Sequence, residues 1–531
     1  MSNISKLFPV IFYLVAVLIS LTSMTRMVEE ERVEIGTLKA LGYTNTQIIL
    51  KYVLYALLAS VIGGILGMSV GFYLLPYIVW SLYSMLYTIP KFYYTYRLGI
   101  GLLGIIIAFI CIGGTTIFVA NQELKQMPSV LMRPKSPKNG KKIFIEKIKF
   151  IWKRLNFSQK VTVRNIFRYK KRALMTIIGI AGCTGLMLTG FGIRDSVVDI
   201  PKAQFGDIFK YEIGVTLINT EGLEDIEKYL NENEKVENYT KICATTGTIT
   251  NGNGKYDTNV FVPEDANQID QICELLDYIE NEKISLSNEG IIITDKMAEQ
   301  LEINKGDEVT FIDGDNVNYT FKVDGIVKNH VGHYVYMTKD LYEQNISPYK
   351  TNMLMLNTNE ITKEEQNEIS AKLLEIKGVA AVSIISDLMS TVSDMLNTMN
   401  YVVVVLIIAS ALLAFVVLYN LANINIGERQ REIATLKVLG FYDREVDNYI
   451  NKENLIFTIV GIILGLIFGT LLTGAIIVSI EIDNLKFMQN ILLSSYIFSA
   501  VITLTFSIAV NYIIHFILKK IDMIASLKSV E

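Results

Sequence analysis

Seven stretches of roughly 20 mainly apolar residues constrain the fold of this chain most strongly. The bilayer core offers the backbone no water, so a chain that crosses it must satisfy its own peptide hydrogen bonds, and a helix of about 20 residues does this. None of the seven stretches contains Asp, Glu, Lys or Arg. The sequence therefore predicts an α-helical polytopic membrane protein, with transmembrane helices at residues 7–25, 52–75, 98–120, 173–193, 401–421, 455–479 and 491–514.

Basic residues predict how these spans are oriented. Residues 121–172 carry sixteen Lys and Arg, more than any other loop between spans, and loops of this kind remain in the cytoplasm. Alternation then places residues 26–51 and 422–452 inside and residues 194–400 outside. By the same rule, the N-terminus is outside and the C-terminus is cytoplasmic.

Within the basic loop, one face of a predicted amphipathic helix is apolar and suits the surface of the lipid bilayer. That face consists of Phe144, Ile148, Ile151, Trp152 and Leu155. A basic run can also bind nucleic acid, but its place between two membrane spans argues against that partner.

Residues 194–400 are rich in Asp, Glu, Asn and Thr and contain several β-prone runs. One strand-helix-strand unit is predicted at residues 211–217, 221–232 and 236–250, and a second at 353–356, 363–376 and 380–385. A strand-rich insert lies between the two units. The pattern predicts an extracytoplasmic domain of mixed α/β structure.

A duplicated segment links the two ends of the chain. Residues 34–43 match residues 432–441 with a constant offset of 398, as Glu-Ile-x-Thr-Leu-Lys-x-Leu-Gly followed by Tyr or Phe. In each copy the pattern predicts a short helix that ends at the glycine, followed by a helix that enters the membrane. Each entering helix carries glycines at every fourth position, which predicts a face for close helix packing. These glycines are Gly63, Gly67, Gly71, Gly461, Gly465 and Gly469.

The sequence contains no recognisable motif for a nucleotide-binding, metal-binding or catalytic site. A nucleotide-binding loop would need a glycine where Ile249 stands before Gly254 and Lys255. His330 and His333 would point to opposite faces of a strand, which disfavours a metal site. We therefore expect no enzyme activity, no catalytic residues, no cofactor and no metal. The lack of ionisable residues within the spans also disfavours an ion-coupled transporter.

The repeated motif and its glycine-ridged span resemble the FtsX-like permeases, the membrane subunits of MacB-type ABC transporters. Residues 164–172 resemble the entry to the second half of the large Gram-positive members, so the chain is similar to the C-terminal part of such a protein. The extracytoplasmic domain is similar to the Porter and Sabre subdomains of this family. The resemblance implies a protein of the bacterial cell membrane that functions in transport by mechanotransmission.

The resemblance implies a separate ABC ATPase subunit that grips the two short helices, while the spans relay its motion to the extracytoplasmic domain. Carried over residue by residue, the ATPase-coupling positions are Glu34, Thr37, Leu38, Lys39, Leu41, Gly42, Glu432, Thr435, Leu436, Lys437, Leu439 and Gly440.

The same resemblance divides the chain into five parts. These are a first permease unit at residues 1–120, a basic linker at 121–172, a transmembrane helix at 173–193, the extracytoplasmic domain at 194–400 and a second permease unit at 401–531. In the family each half begins with a span and an outer domain, and the first half here lacks both. Another polypeptide would supply them, or the chain is a truncated, non-functional fragment.

Two functions from different classes fit this organisation. The first is export or dislodging of a lipoprotein, peptide or other amphipathic molecule, driven by the ATPase. The alternative is a mechanotransmitting regulator of a cell-wall hydrolase or sensor kinase, without cargo.

Overall fold

The structure is a computed structural model that describes residues 4–86, 98–132, 170–252, 254–428, 430–481 and 483–519, together with residues 160, 163, 164, 166 and 167. The predicted amphipathic helix at residues 144–155 lies outside these residues. Within them, seven helices are long and apolar enough to cross a membrane, which confirms the predicted spans. The chain forms two compact units. The membrane unit comprises Met1–Arg194, Asn400–Ile480 and Ile491–Glu531, and the α/β unit comprises Asp195–Met399 and Glu481–Asn490.

Sixteen α-helices are described, with a π-helical turn at Ala203–Ile208 and a 3-10 turn at Ala266–Gln268. They are α1 (Ile4–Glu30), α2 (Arg32–Ala40), α3 (Asn45–Leu86), α4 (Leu98–Leu124), α5 (Pro128–Leu131), α6 (Lys170–Val198), α7 (Ile200–Lys202), α8 (Leu223–Glu232), α9 (Ile269–Ile272), α10 (Asp295–Leu301), α11 (Lys339–Asn345), α12 (Lys363–Glu375), α13 (Ile385–Glu428), α14 (Gln430–Val438), α15 (Asp443–Ile480) and α16 (Leu493–Lys519).

Nine β-strands are described, all in the α/β unit. They are β1 (Ile213–Leu217), β2 (Val236–Thr250), β3 (Lys255–Pro263), β4 (Ile291–Thr294), β5 (Glu308–Ile312), β6 (Asn318–Val327), β7 (Tyr334–Tyr336), β8 (Met353–Thr358) and β9 (Val379–Ile384).

Helix α6 is the most buried span of the membrane unit. Its glycines allow close contact with several neighbours, since a Cβ added at Gly190 would lie 2.9 Å from Ile407 of α13. Its Thr184 hydroxyl lies 3.2 Å from that of Thr503 on α16. Helices α1 and α13 also meet, through a hydrogen bond of 2.8 Å from Asn420 to Ser23. The two predicted permease segments therefore pack together in one unit.

The α/β unit contains an antiparallel sheet in the order β9-β1-β8-β2. Helices α8 and α12 cover it, and their apolar residues recur at a spacing of four, as in the pair Ile226 and Leu230 and the pair Ile369 and Leu373. A capping box between Thr362 and Glu365 begins α12. Both predicted strand-helix-strand units are thus present.

The strand-rich insert closes into a six-stranded ring. Its order is β3-β7-β4-β6-β5-β2, and β2 pairs again with β3. Strand β2 belongs to both layers because its 15 residues pair with β8 in the first half and with β3 and β5 further along. Alternating apolar residues such as Val309 and Phe311 fill the interior of the ring.

The segment Glu481–Asn490, which lies between α15 and α16 in sequence, folds as part of the α/β unit. The amide of Gly332 donates to the backbone carbonyl of Asn484 over 2.8 Å, and the amide of Lys486 donates to the backbone carbonyl of His330 over 2.9 Å. Buried Lys296 pairs with Glu481, and the Lys486 ammonium lies 2.9 Å from Asp295. The contacts that hold this segment come from residues about 150 to 290 positions away in sequence.

Candidate coupling site

The two repeated segments fold alike, as α2 followed by α3 and as α14 followed by α15. Ile35 and Ile433 occupy equivalent positions and are each 1% exposed, so the same face of each short helix is buried. Gly36 and Ala434 follow them and are also buried. A Cβ added at Gly36 would lie 2.9 Å from Met132, which explains the small residue there.

Each short helix ends in the same backbone turn. Gly42 has φ +96° and Gly440 has φ +91°, a left-handed conformation that glycine adopts without steric cost. The amide of Tyr43 donates to the carbonyl of Leu38 over 3.1 Å, and that of Phe441 donates to Leu436 over 3.2 Å. These bonds form a Schellman motif, which satisfies the free carbonyls at the helix end.

The helices that follow begin with comparable caps. The Gln47 side chain accepts from the amide of Thr44 over 2.9 Å. In the second copy Glu445 accepts from the amide of Tyr442 over 3.0 Å. Tyr442 therefore stands at the position of Thr44, and Asp443 is the first residue of α15.

The two repeated lysines bind the ends of other helices. The Lys39 ammonium donates to the carbonyls of Leu124 and Gln126 over 2.6 and 2.9 Å. The Lys437 ammonium donates to the carbonyl of Leu518 over 2.9 Å. Each lysine thus satisfies carbonyls at the C-terminal end of the third helix in its own copy, where a positive charge is favourable. Through these hydrogen bonds, both lysines stabilise the membrane unit.

The remaining predicted coupling residues differ in exposure. Glu34 is exposed and lies 2.8 Å from Lys51, while the Thr37 hydroxyl donates to the carbonyl of Val33 over 3.0 Å. Leu38 and Leu436 are half-buried, and Thr435 is exposed. The side chain of Glu432 lies outside the described residues. Lys51 also bonds to Glu31, and this bond holds the pKa of the Glu31 carboxyl below its usual value.

At each turn, one exposed apolar side chain precedes the glycine and another follows it. Leu41 is 71% exposed and Leu439 is 70% exposed. Tyr43 and Phe441, two positions later, are about half exposed. The prediction from sequence included the leucines but not the aromatic residues, although the aromatic position is part of the repeated motif. We call residues 41–43 and 439–441 the coupling tips.

The predicted glycine packing faces have different surroundings in the two copies. A Cβ added at Gly461, Gly465 or Gly469 would lie 2.7 to 2.9 Å from atoms of α6. A Cβ added at Gly63, Gly67 or Gly71 would meet no described atom within 4 Å. The structure therefore brings α15 against α6 through its glycines, and packing at the first set of glycines remains a prediction.

Comparisons with known proteins agree with this organisation. The model of the FtsX-like permease C-terminal domain matches residues 6–124 and 404–521, and that of the MacB-like periplasmic core domain matches residues 173–374. The comparison with curated proteins found no match.

Two solved structures are similar to a part of this chain. The periplasmic region of MacB from Actinobacillus actinomycetemcomitans is 12% identical over 35% of this chain and 94% of that chain, with a TM-score of 0.24. The extracellular domain of the noncanonical ABC-type transporter YknZ from Gram-positive bacteria is 15% identical over 33% of this chain and 98% of that chain, with a TM-score of 0.23.

The family matches cover both repeated segments and the α/β region between them, and the predicted fold class is confirmed. With permease domains at both ends and a MacB-like core domain between them, the chain belongs to the FtsX/MacB-type permeases of ABC transporters.

Proposed function

We propose that this chain is a permease subunit whose two coupling tips bind a separate ABC ATPase. The observation that carries the proposal is the equivalence of the tips, in which an exposed leucine and an aromatic residue flank a left-handed glycine in both copies. Exposed apolar side chains that recur in one geometry are typical of a protein-binding surface. Two equivalent tips suit an ATPase that presents two equivalent grooves.

Helix α13 supplies a route by which motion at one tip could be transmitted. It runs without a break from Ile385 to Glu428, a length of about 66 Å at 1.5 Å per residue. It follows β9 directly and ends two residues before α14 begins at Gln430. A tilt of α14 would therefore act on the same helix that leaves the sheet of the α/β unit.

The segment Glu481–Asn490 supplies a second route. It joins α15, which begins two residues after the second coupling tip, to α16. The Lys296–Glu481 and Lys486–Asp295 pairs hold it in the α/β unit. In this proposal the short helices lie in the cytoplasm, the N-terminus and the α/β unit lie outside, and the C-terminus is cytoplasmic. The ATPase cycle changes the conformation of the α/β unit to export or dislodge a lipoprotein, peptide or other amphipathic molecule.

The experiment that tests ATPase binding uses the substitutions Leu41→Asp and Leu439→Asp, singly and together. Both leucines are about 70% exposed, so the chain should fold normally and give an unchanged thermal melt. We expect each single change to reduce co-purification of the ATPase from mild detergent, and the double change to abolish it. Ile218→Asp in the α/β unit is a matched control, because this residue is 74% exposed and carries the same change of chemistry.

Unchanged recovery of the ATPase with the folded double variant would reject binding at the coupling tips. The cargo is tested separately, by deleting the gene and measuring lipoprotein release and tolerance of amphipathic peptides. Wild-type behaviour in both assays would reject the export form of the proposal, while leaving ATPase binding to be judged by co-purification.

A further inference from the structure

A short antiparallel pairing of two loops helps to hold the segment Glu481–Asn490 in the α/β unit. Val331, in the loop between β6 and β7, pairs with Leu485 of the segment as an isolated bridge. One backbone hydrogen bond lies on each side of this bridge. We call the pairing of residues 330–332 with residues 484–486 the clasp.

The β6–β7 side of the clasp is fixed independently of the segment. The side-chain oxygen of Gln204 accepts from the amides of His330 and Val331 over 2.8 and 3.0 Å. The side-chain nitrogen of Asn329 donates to the carbonyls of Val331 and Gly332 over 3.0 and 2.7 Å. Both amide side chains are buried. The clasp can therefore open by departure of the segment alone, without unfolding of the sheet.

Two of the three histidines of the chain lie at the clasp, and the segment contacts both. The Nδ1 of His330 donates to the carbonyl oxygen of Lys486 over 3.2 Å. His333 is only 3% exposed. The backbone of Asp483 approaches its ring, but neither ring nitrogen makes a hydrogen bond of normal geometry with a described residue. Departure of the segment would remove these contacts and bring both rings into water.

Charges of both signs surround the two rings. The ionisable groups that face them come from β3, α10, the β6–β7 loop and the segment, and are Tyr256, Asp295, Lys296, Lys328, Asp483 and Lys486. Lys486 is paired with Asp295 and Glu299, and Lys296 is paired with Glu481. Asp483 is exposed, so solvent screens its charge. The carboxylates nearest the rings are thus paired with a lysine or screened by water.

The closed clasp disfavours a proton on either ring. A protonated imidazole carries a charge and two N–H donors, and burial without acceptors makes both costly. Burial lowers the pKa of His330 and that of His333 below the usual value of about 6.5. Rings released into water regain this value, so the open clasp binds more protons at lower pH. At about pH 5, each released ring favours opening by up to about thirtyfold.

We propose that the clasp is an acid-sensitive switch, which opens when His330 and His333 take up protons from solution and releases the segment from the β6–β7 loop. His330 takes up its proton at Nε2, because its Nδ1 already carries the hydrogen donated to Lys486. The segment joins α15 to α16, so acid loosens one connection between the α/β unit and these two helices. The switch concerns contacts within the α/β unit and does not require that the coupling tips bind an ATPase.

The experiment is hydrogen–deuterium exchange of the full-length chain in mild detergent, at about pH 7.5 and about pH 5, read by mass spectrometry. Each exchange rate is divided by the intrinsic rate of an unfolded peptide at the same pH, which gives a protection factor. On acidification, we expect the protection factor of residues 330–334 and 484–488 to fall by about tenfold or more relative to that of β5 and β6. An equal fall in all these peptides, or no fall, would overturn the proposal.

Variants assign the acid response to the two rings. Combining His330→Gln with His333→Gln keeps an uncharged amide at both positions, so the fall in protection should shrink to less than about threefold. A fall as large as that of the parent in the folded double variant would reject the histidines as the sensors. If the double variant does not fold, the two single variants are compared with the parent, and each should reduce the fall. An undiminished fall in both would also reject the proposal.

His515→Gln in α16 is the matched control, because it makes the same change at the third histidine of the chain. The acid-induced fall at the clasp should persist in this variant, and its loss would contradict the assignment. All these measurements are made without the ATPase, whose binding is scored by the aspartate variants at the coupling tips. Failure of one proposal is therefore distinguishable from failure of the other.

Discussion

The two glycine faces predict opposite effects of one methyl group on the stability of the isolated chain. Gly465→Ala places a Cβ 2.7 Å from the Thr184 Cβ, 2.8 Å from the Ala181 carbonyl oxygen and 3.0 Å from the Ala181 Cα. Two of these atoms are backbone, so no change of rotamer relieves the contacts, and α15 must move away from α6. Gly67→Ala, at the equivalent position of α3, meets no described atom within 4 Å.

The magnitude follows from two opposing contributions. Extra volume in a packed core costs about 1 to 3 kcal/mol, and the backbone contacts at Gly465 favour the upper half of this range. Replacing glycine by alanine within a helix stabilises it by about 1 kcal/mol. Gly465→Ala should therefore lower the free energy of unfolding by about 1 to 2 kcal/mol. Gly67→Ala should leave it unchanged or raise it by up to about 1 kcal/mol.

The assay is unfolding of the purified chain in mixed micelles by increasing the fraction of denaturing detergent, followed by the circular dichroism of the helices. The two variants and the parent are compared under one protocol. The difference between their free energies of unfolding therefore does not depend on how the detergent-unfolded state is described. The packing account would be refuted if both substitutions changed the free energy of unfolding in the same direction by similar amounts.

Three further predictions concern single side chains. Lys39→Met removes two charged hydrogen bonds to the end of α4, which should lower the local free energy of unfolding there by about 1 to 3 kcal/mol. The amides at the end of α4 should then exchange faster with deuterium, and an unchanged exchange rate would contradict the role of Lys39. Glu481→Gln leaves the buried Lys296 charge without its partner, which should destabilise the α/β unit by about 3 to 5 kcal/mol, measured as faster exchange in residues 483–490. Burial lowers the pKa of His330 below the unfolded value of about 6.5, so the unfolded state binds more protons and the α/β unit should lose stability as pH falls through 6.5. His330→Gln should make the melting temperature depend less on pH. A pH profile identical to that of the parent would contradict this role of His330.

Sequence patterns predicted the elements whose causes are local. Each span is a long apolar run, and the strand-helix-strand units have alternating strands beside helices with a spacing of four. The short helices and their glycine ends were also predictable, because the motif contains its own stop signal. The cap at the start of α3 likewise joins two residues only three positions apart, because the amide of Thr44 donates to the Gln47 side chain and the amide of Gln47 donates to the Thr44 hydroxyl.

Features that depend on distant residues could not be predicted in this way. Lys39 and Gln126 are 87 positions apart, so nothing near the lysine indicates that it binds the end of α4. Strand β2 closes the ring of the insert only because its C-terminal end pairs with β5. The two glycine faces read alike in sequence, and their difference depends on whether α6 is present beside them.

The most direct test of the central claim is a photoreactive residue placed at Leu41 or at Leu439, one position at a time, in the full-length protein in its membrane. Both side chains are about 70% exposed, so the substitution should leave the fold intact. The account predicts that each position alone gives an adduct with the same ABC ATPase polypeptide. Absence of that adduct at both positions, in a protein that folds as the parent does, would contradict the account.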